Sequence, residues 1–188
     1  MGPAVHLVLF RSLPENDLHL LIKKLKPKSF KKGAPLVEVG AVQRELYFIK
    51  SGIQMAYFNS LEKDYVMAFT QCPDLCAIPD SFSFQTPSHF RLVAITASEV
   101  DSLTYVDLQT LFDQSPALER LFRRMTEKIL AGIITRHVEL HSLTMEERFK
   151  AFCKRSPHLL KEVPHKYLAS YLGIDPTNFS KLFNSVRI

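Results

Sequence analysis

Thr177, Asn178 and Lys181 lie within five residues of one another and carry donor and acceptor groups suited to the edge of a nucleic-acid base. Asn pairs bidentately with adenine, Lys donates to guanine O6 and N7, and Thr bonds a base or phosphate or touches a thymine methyl. Ser180, Lys166 and Arg187 are better suited to anchoring phosphates than to reading sequence. Such chemistry needs these side chains on an exposed helix face, so the segment around them must build and hold that helix.

The segment from His165 to Phe183, HKYLASYLGIDPTNFSKLF, has the required pattern. Counted from His165, Leu168, Leu172, Ile174, Phe179 and Leu182 fall at positions 4, 8, 10, 15 and 18, which two helices joined by a tight turn bury between them. Ala169 at position 5 is small, as a closely crossing second helix requires. Gly173 at position 9 sits where positive φ lets the chain reverse. Asp175 is placed to cap the second helix and Pro176 to fill its first position. The offsets predict a helix-turn-helix whose second helix enters the major groove with Thr177, Asn178 and Lys181 facing outward.

Other chemistry-bearing residues are sparse. Cys72, Cys76 and Cys153 form an odd set without a second C-x3-C pair, so reduced, packed thiols are expected. His137 and His141 stand four apart on one helix face, a spacing that suits a metal, yet no third ligand is evident and no metal is predicted. The strand-rich part holds only His89 and lacks clustered His and carboxylate ligands. With no Ser-His-Asp set or Gly-rich phosphate loop either, no catalytic residue is assigned and an enzyme is not expected.

Several elements precede the helix-turn-helix. Ser12 is placed to cap a short helix carrying Leu18, Leu21, Ile22 and Leu25 at amphipathic spacing. From Ser29 to Leu103 the pattern is strand-like: Leu36–Val39, Leu46–Ile49, Gln54–Phe58, Tyr65–Phe69, Phe90–Ile95 and Val100–Tyr105, punctuated by Gly33, Gly40 and Gly52. A short helix from Val106 to Phe112 then leads through Ser115-Pro116 into a long helix ending near His141. Leu118, Phe122, Met125, Ile129 and Gly132 recur along it at spacings of four and three, which predicts a coiled-coil-like dimer seam with the two backbones close at Gly132. Thr144 and Glu147 have capping-box spacing at the start of the next helix. The fold class expected is α+β: an antiparallel β-roll sensor over residues 1–112, a dimerisation helix over 113–141 and a helix-turn-helix domain over 142–188.

Charge follows the same division. The net charge is +5, and residues 1–112 balance 11 Lys+Arg against 11 Asp+Glu, whereas 113–188 carry 13 against 8. The whole excess lies in the helical part, where phosphate backbones would attract it. No run of eighteen apolar residues occurs, and residues 1–10 have neither a basic n-region nor a small-residue cleavage site, so a cytoplasmic protein without membrane contact is expected.

Taken together, these residues resemble the CRP/FNR (cyclic-AMP receptor protein) family of transcription regulators, in the short form common in Bacteroidetes. The resemblance is carried by Lys32-Gly33, Val39-Gly40, Leu46-Tyr47-Phe48-Ile49-Lys50-Ser51-Gly52, Thr96-Ala97-Ser98-Glu99-Val100, Glu146-Glu147-Arg148-Phe149 and Val163-Pro164-His165-Lys166-Tyr167-Leu168-Ala169-Ser170-Tyr171-Leu172-Gly173-Ile174. It implies a homodimer through the long helix, a palindromic double-stranded DNA operator, RNA polymerase as a further partner, and an effector in the β-roll. The departures are equally specific. The Glu and Arg that hold a cyclic phosphate in nucleotide-binding members align with Ile78 and Ser88, so cyclic AMP or cyclic GMP binding in the family manner is not expected. Ser88, His89 and Arg91 are the remaining effector candidates, the effector itself being unknown. The cysteine-rich N-terminus of iron–sulfur members is absent, no cofactor is predicted, and a haem role for His89, His137 or His141 stays open. The family's Arg-Glu-Arg reading set corresponds to Pro176, Thr177 and Lys181, so the operator sequence does not carry over. The rival reading is a ligand-binding β-roll module that regulates a protein partner without touching DNA.

Overall fold

The computed structural model describes Phe10, residues 12–61 and residues 63–185; Arg187, one of the expected phosphate anchors, lies outside them. Eight strands, Lys26–Phe30 (β1), Pro35–Val37 (β2), Glu45–Ser51 (β3), Ile53–Asn59 (β4), Asp64–Gln71 (β5), Leu75–Cys76 (β6), Arg91–Ala94 (β7) and Ser98–Thr104 (β8), form two four-stranded sheets. Their orders are β1-β8-β3-β6 and β2-β7-β4-β5. The helices are Glu15–Lys24 (α1), Pro79–Phe84 (α2), Tyr105–Gln114 (α3), Pro116–Ser142 (α4), Met145–Arg155 (α5), Leu159–Glu162 (α6), His165–Leu172 (α7) and Pro176–Ser185 (α8). This is the expected α+β architecture of an antiparallel β-roll with a helical C-terminal part.

The run Leu46-Tyr47-Phe48-Ile49 on β3 is buried at every position because both faces of its sheet are covered. Leu46 and Phe48 enter a core with Leu21 of α1, Leu108 and Leu111 of α3, and Leu118 of α4. Tyr47 and Ile49, on the opposite pleat, enter a second core with Cys76, Leu92 and Val100. Gly52 turns β3 into β4 at φ +86°, and a Cβ there would lie 2.4 Å from Ser98 Oγ and 2.5 Å from the Ala97 carbonyl oxygen.

Four elements depart from the sequence pattern. The edge strand β1 is almost wholly exposed and pairs by backbone with β8, Lys26 opposite Ser102 and Phe30 opposite Ser98, so it carries no apolar alternation. The two-residue β6 is too short to show a period. Helix α2 follows Ile78 and is fixed by a buried amide, because Gln43 Oε1 accepts from Ile78 N at 2.8 Å and Ser81 Oγ accepts from Gln43 N at 2.9 Å. Helix α1 begins after Pro14, whose carbonyl accepts from Leu18 N, rather than at a Ser12 cap. The Ser115 cap of α4 is present: its hydroxyl accepts from Leu118 N at 3.1 Å, with Pro116 opening the helix.

The described chain divides into two compact units. One runs to Tyr57 and resumes over Phe69–Thr126, and the other joins Phe58–Ala68 to the residues from Glu127 onward. The division falls inside α4, and the hairpin end of β4 and β5 groups with the C-terminal helices.

The residues expected to form a dimer seam on α4 have unlike surroundings within the single chain. Leu118 is fully buried and Phe122 nearly so, inside the first unit's own core, where Phe122 packs edge-on against Phe48 and Phe112. Met125 is half-buried, and a Cβ on Gly132 would meet nothing within 4 Å. Of the expected set Ile129 is an exposed apolar residue, and Leu130, Ile133, Ile134 and Val138 join it, each about half exposed. Leu130 and Ile133 sit one residue on from Ile129 and Gly132, which at 3.6 residues per turn rotates the open apolar stripe about 100° around the helix.

Candidate nucleic-acid interface

The turn between α7 and α8 is built by backbone bonds that only a left-handed residue permits. Gly173 has φ +63°, its N–H donates to the Ser170 carbonyl at 3.1 Å, and Ile174 N donates to the Ala169 carbonyl at 2.9 Å. This pair of bonds closes the end of α7 and turns the chain toward α8. Asp175 Oδ1 then accepts from Thr177 N at 2.8 Å and Asn178 N at 3.4 Å, satisfying the open donors of α8. Leu168, Ala169, Leu172, Ile174 and Phe179 are buried and Leu182 is half-buried, as the spacing predicts. Phe179 packs edge-on against Phe149 of α5 at 5.4 Å.

With Phe179 fixed inward, the opposite face of α8 is set by helical geometry. Thr177, Ser180 and Lys181 are exposed there and Asn178 is half-buried at its margin. Lys166, at the start of α7, is exposed with its ammonium 4.7 Å from the Tyr167 ring centroid. Asn184, seven residues after Thr177 and on the same face, is also exposed; sequence reasoning missed it, although the i+7 spacing was available.

Two arginines that the sequence reading did not single out as positioning residues hold this unit. Arg148 donates from Nε to the Leu172 carbonyl at 2.9 Å, from Nη1 to Leu143 at 2.6 Å and from Nη2 to Gly173 at 3.2 Å. It thereby ties the end of α7 to the end of α4. Arg136 lies over the Tyr171 ring at 4.1 Å and donates to the carbonyls of Tyr171, Val66 and Met67. Burial pulls its pKa below the ordinary arginine value, and the guanidinium persists because those carbonyls and the ring face it. Ser170 of α7 completes the attachment of the hairpin, donating to the Asp64 carbonyl at 2.8 Å and accepting from Val66 N at 3.0 Å. The Thr144–Glu147 capping box is formed at the start of α5.

In the β-unit the effector candidates have their polar groups committed separately. Ser88 is buried, with Oγ donating to the Phe90 carbonyl and accepting from Phe90 N. Arg91 bonds Glu38 at 2.8 Å and Tyr57 Oη at 3.4 Å, contacts that raise its pKa, and His89 is exposed. Ile78 is buried ahead of α2. Among the described residues the buried polar side chains are Gln43, Gln54, Ser81, Ser88, Ser98, Asp101, Ser102 and Ser115, a set without Lys or Arg. The three cysteines are free thiols, and burial pushes that of Cys76 up to about 12. Among the described residues no helix is long and apolar enough to cross a membrane.

The sequence matches no protein-family model and no curated relative, whereas the fold matches solved structures along most of its length. FixK2 from Bradyrhizobium japonicum superposes with a TM-score of 0.75 at 15% identity, over 85% of this chain and 83% of that one. The c-di-GMP responsive global regulator CLP of Xanthomonas campestris gives 0.69 at 15% identity, over 91% and 90%. A CooA variant from Carboxydothermus hydrogenoformans gives 0.69 at 17% identity, over 98% and 84%. These are regulators of the CRP/FNR family, and the fold of this chain is theirs: a cyclic-nucleotide-binding-like β-roll, a long helix and a helix-turn-helix.

Proposed function

We propose that this chain is a dimeric, sequence-specific DNA-binding transcription regulator of the CRP/FNR type. The observation that carries the reading is the capped, Gly173-turned pair α7–α8, which buries Phe179 and leaves Thr177, Asn178, Ser180 and Lys181 on the outward face. In that reading Thr177, Asn178 and Lys181 meet base edges while Ser180, Lys166 and Arg187 meet phosphates. The exposed stripe of Leu130, Ile133 and Ile134 supports pairing of two copies through α4, since a surface of that kind on a long helix is costly to leave in water.

The β-roll is the sensor in this scheme, and its ligand is not a cyclic nucleotide held in the family manner. A cyclic phosphate entering between Ile78 and Ser88 would meet neutral side chains there, and the only nearby guanidinium named above is already engaged by Glu38 and Tyr57. A ligand that does bind acts only through its differential affinity for two arrangements of the dimer.

Selection from a random duplex library at fixed salt, without added ligand, tests the proposal. A palindromic motif with half-site centres about 34 Å apart, one helical turn, is expected. Absence of enrichment with and without cell-extract small molecules would reject DNA reading by α8. Calorimetric titration with cyclic AMP and cyclic GMP is expected to give no saturable heat in the micromolar range.

A further inference from the structure

His137 and His141 project from the exposed face of α4, their ring centroids 4.5 Å apart. Imidazoles four residues apart on a helix can reach one ion, each nitrogen about 2.0–2.1 Å from a zinc. Two ligands from one chain leave a tetrahedral ion half satisfied, and among the described residues no group of three His, Cys, Asp or Glu gathers to complete it. The missing ligands have an evident source. Leu130, Ile134, His137 and His141 follow one another at spacings of four, three and four, so both histidines continue the open apolar stripe, and Ile133 and Val138 flank it. When two parallel helices pair along such a stripe, residues at the same seam position face each other across the two-fold axis. Each His pair then meets the pair of the second copy.

We infer that the two copies together form a four-imidazole site for a borderline divalent cation of the zinc type, held between the C-terminal ends of the paired α4 helices. Imidazole nitrogen suits zinc, nickel and copper, and a tetrahedral four-nitrogen set suits zinc best. The site stands one residue before Ser142, where α4 gives way to the connection that Arg148 ties to α7. Binding there fixes the separation of the helix ends that carry the two helix-turn-helix units. This inference rests on the dimer proposed above.

The test uses tag-free full-length protein stripped with EDTA, and reads zinc content after dialysis together with the sedimentation-derived dimer constant. One zinc per two chains is expected. With free zinc at about 100 times its dissociation constant, an ion held only by the dimer tightens that dimer by about 100-fold through mass action. The double variant His137→Gln, His141→Gln should lose zinc uptake and any response of its dimer constant to zinc while keeping its helical circular dichroism, since both side chains are exposed in the single chain. A dimer in EDTA that takes up no zinc, or a double variant that keeps it, overturns the metal site alone. One zinc per chain in a dimer overturns the shared geometry, and a monomer under all conditions overturns the site and the dimer reading together.

Discussion

Lys181 and Thr177 stand four residues apart on the outward face of α8, while Lys166 stands at the start of α7, and this difference in placement separates two kinds of contact. Replacing Lys181 by Ala is expected to cost about 1–3 kcal/mol of DNA affinity and to relax preference at one base position. Lys166→Ala should instead weaken all sequences alike and reduce the salt slope of log K by about one unit. Titrating both variants against a selected site and its single-base mismatches, at several salt concentrations, distinguishes the two. A second residue-scale expectation concerns Cys76. Its folded pKa is raised from 9.0 to about 12 by burial, so the neutral thiol contributes fully to stability below pH 9. That contribution is lost as pH rises from 9 toward 12, because the unfolded chain ionises first. Urea midpoints of the wild type should fall over this window, and Cys76→Val should remove part of the fall. The remainder belongs in part to Tyr47, which burial also holds protonated.

At the level of elements, the sequence was most legible where one element's pattern is set by its own packing. The helix-turn-helix is such a case, because Ala169, Gly173 and Phe179 are dictated by the crossing and turn themselves. The capping residues Ser115, Thr144 and Asp175 were equally readable, since each acts within three residues. What escaped depends on distant partners. β1 is a strand because β8 offers it a hydrogen-bonding edge, α2 is held by Gln43 from more than thirty residues away, and Arg136 reaches the β4–β5 hairpin. The α4 repeat is ambiguous for a related reason. A four-three repeat marks a buried stripe without saying what buries it, and Leu118 and Phe122 are buried by their own β-unit. Two glycines express the contrast. Gly52→Ala places a Cβ against Ser98 and Ala97 at positive φ, and should destabilise the β-unit by about 3 kcal/mol or more. Gly132→Ala meets open space in a helix interior, and should raise stability by about 0.5–1 kcal/mol without weakening the dimer. Thermal unfolding paired with sedimentation checks both, and loss of the dimer in Gly132→Ala would restore Gly132 to the seam.

For the whole molecule, a pairing surface on the open stripe of α4 would make dimer formation and β-unit stability separable. Ile133 is 56% exposed on α4, so Ile133→Glu removes little packing from a single chain. In the dimer it sets a carboxylate from each copy against the apolar flank of the other helix, where an unpaired charge removed from water is costly. The variant should be a folded monomer at micromolar concentration. A palindromic site gains from two linked recognition helices because the second binding event becomes intramolecular, an advantage of about 10²–10⁴ in affinity. Ile133→Glu should therefore lose about that factor on the full site and little on an isolated half-site. Leu118→Ala should behave in the opposite way. Its side chain is fully buried in the first unit's core, so the cavity should cost about 2–5 kcal/mol of that unit's stability. The dimer constant, measured below the unfolding transition, should hardly change. Sedimentation and half-site binding of the two variants side by side give a crossed result if the pairing surface lies on the Leu130–Ile133–Ile134 stripe. If Leu118→Ala dissociates a folded protein while Ile133→Glu remains paired, the partner contacts the face of α4 that the β-unit covers in a single chain, and the first unit must open when the dimer forms.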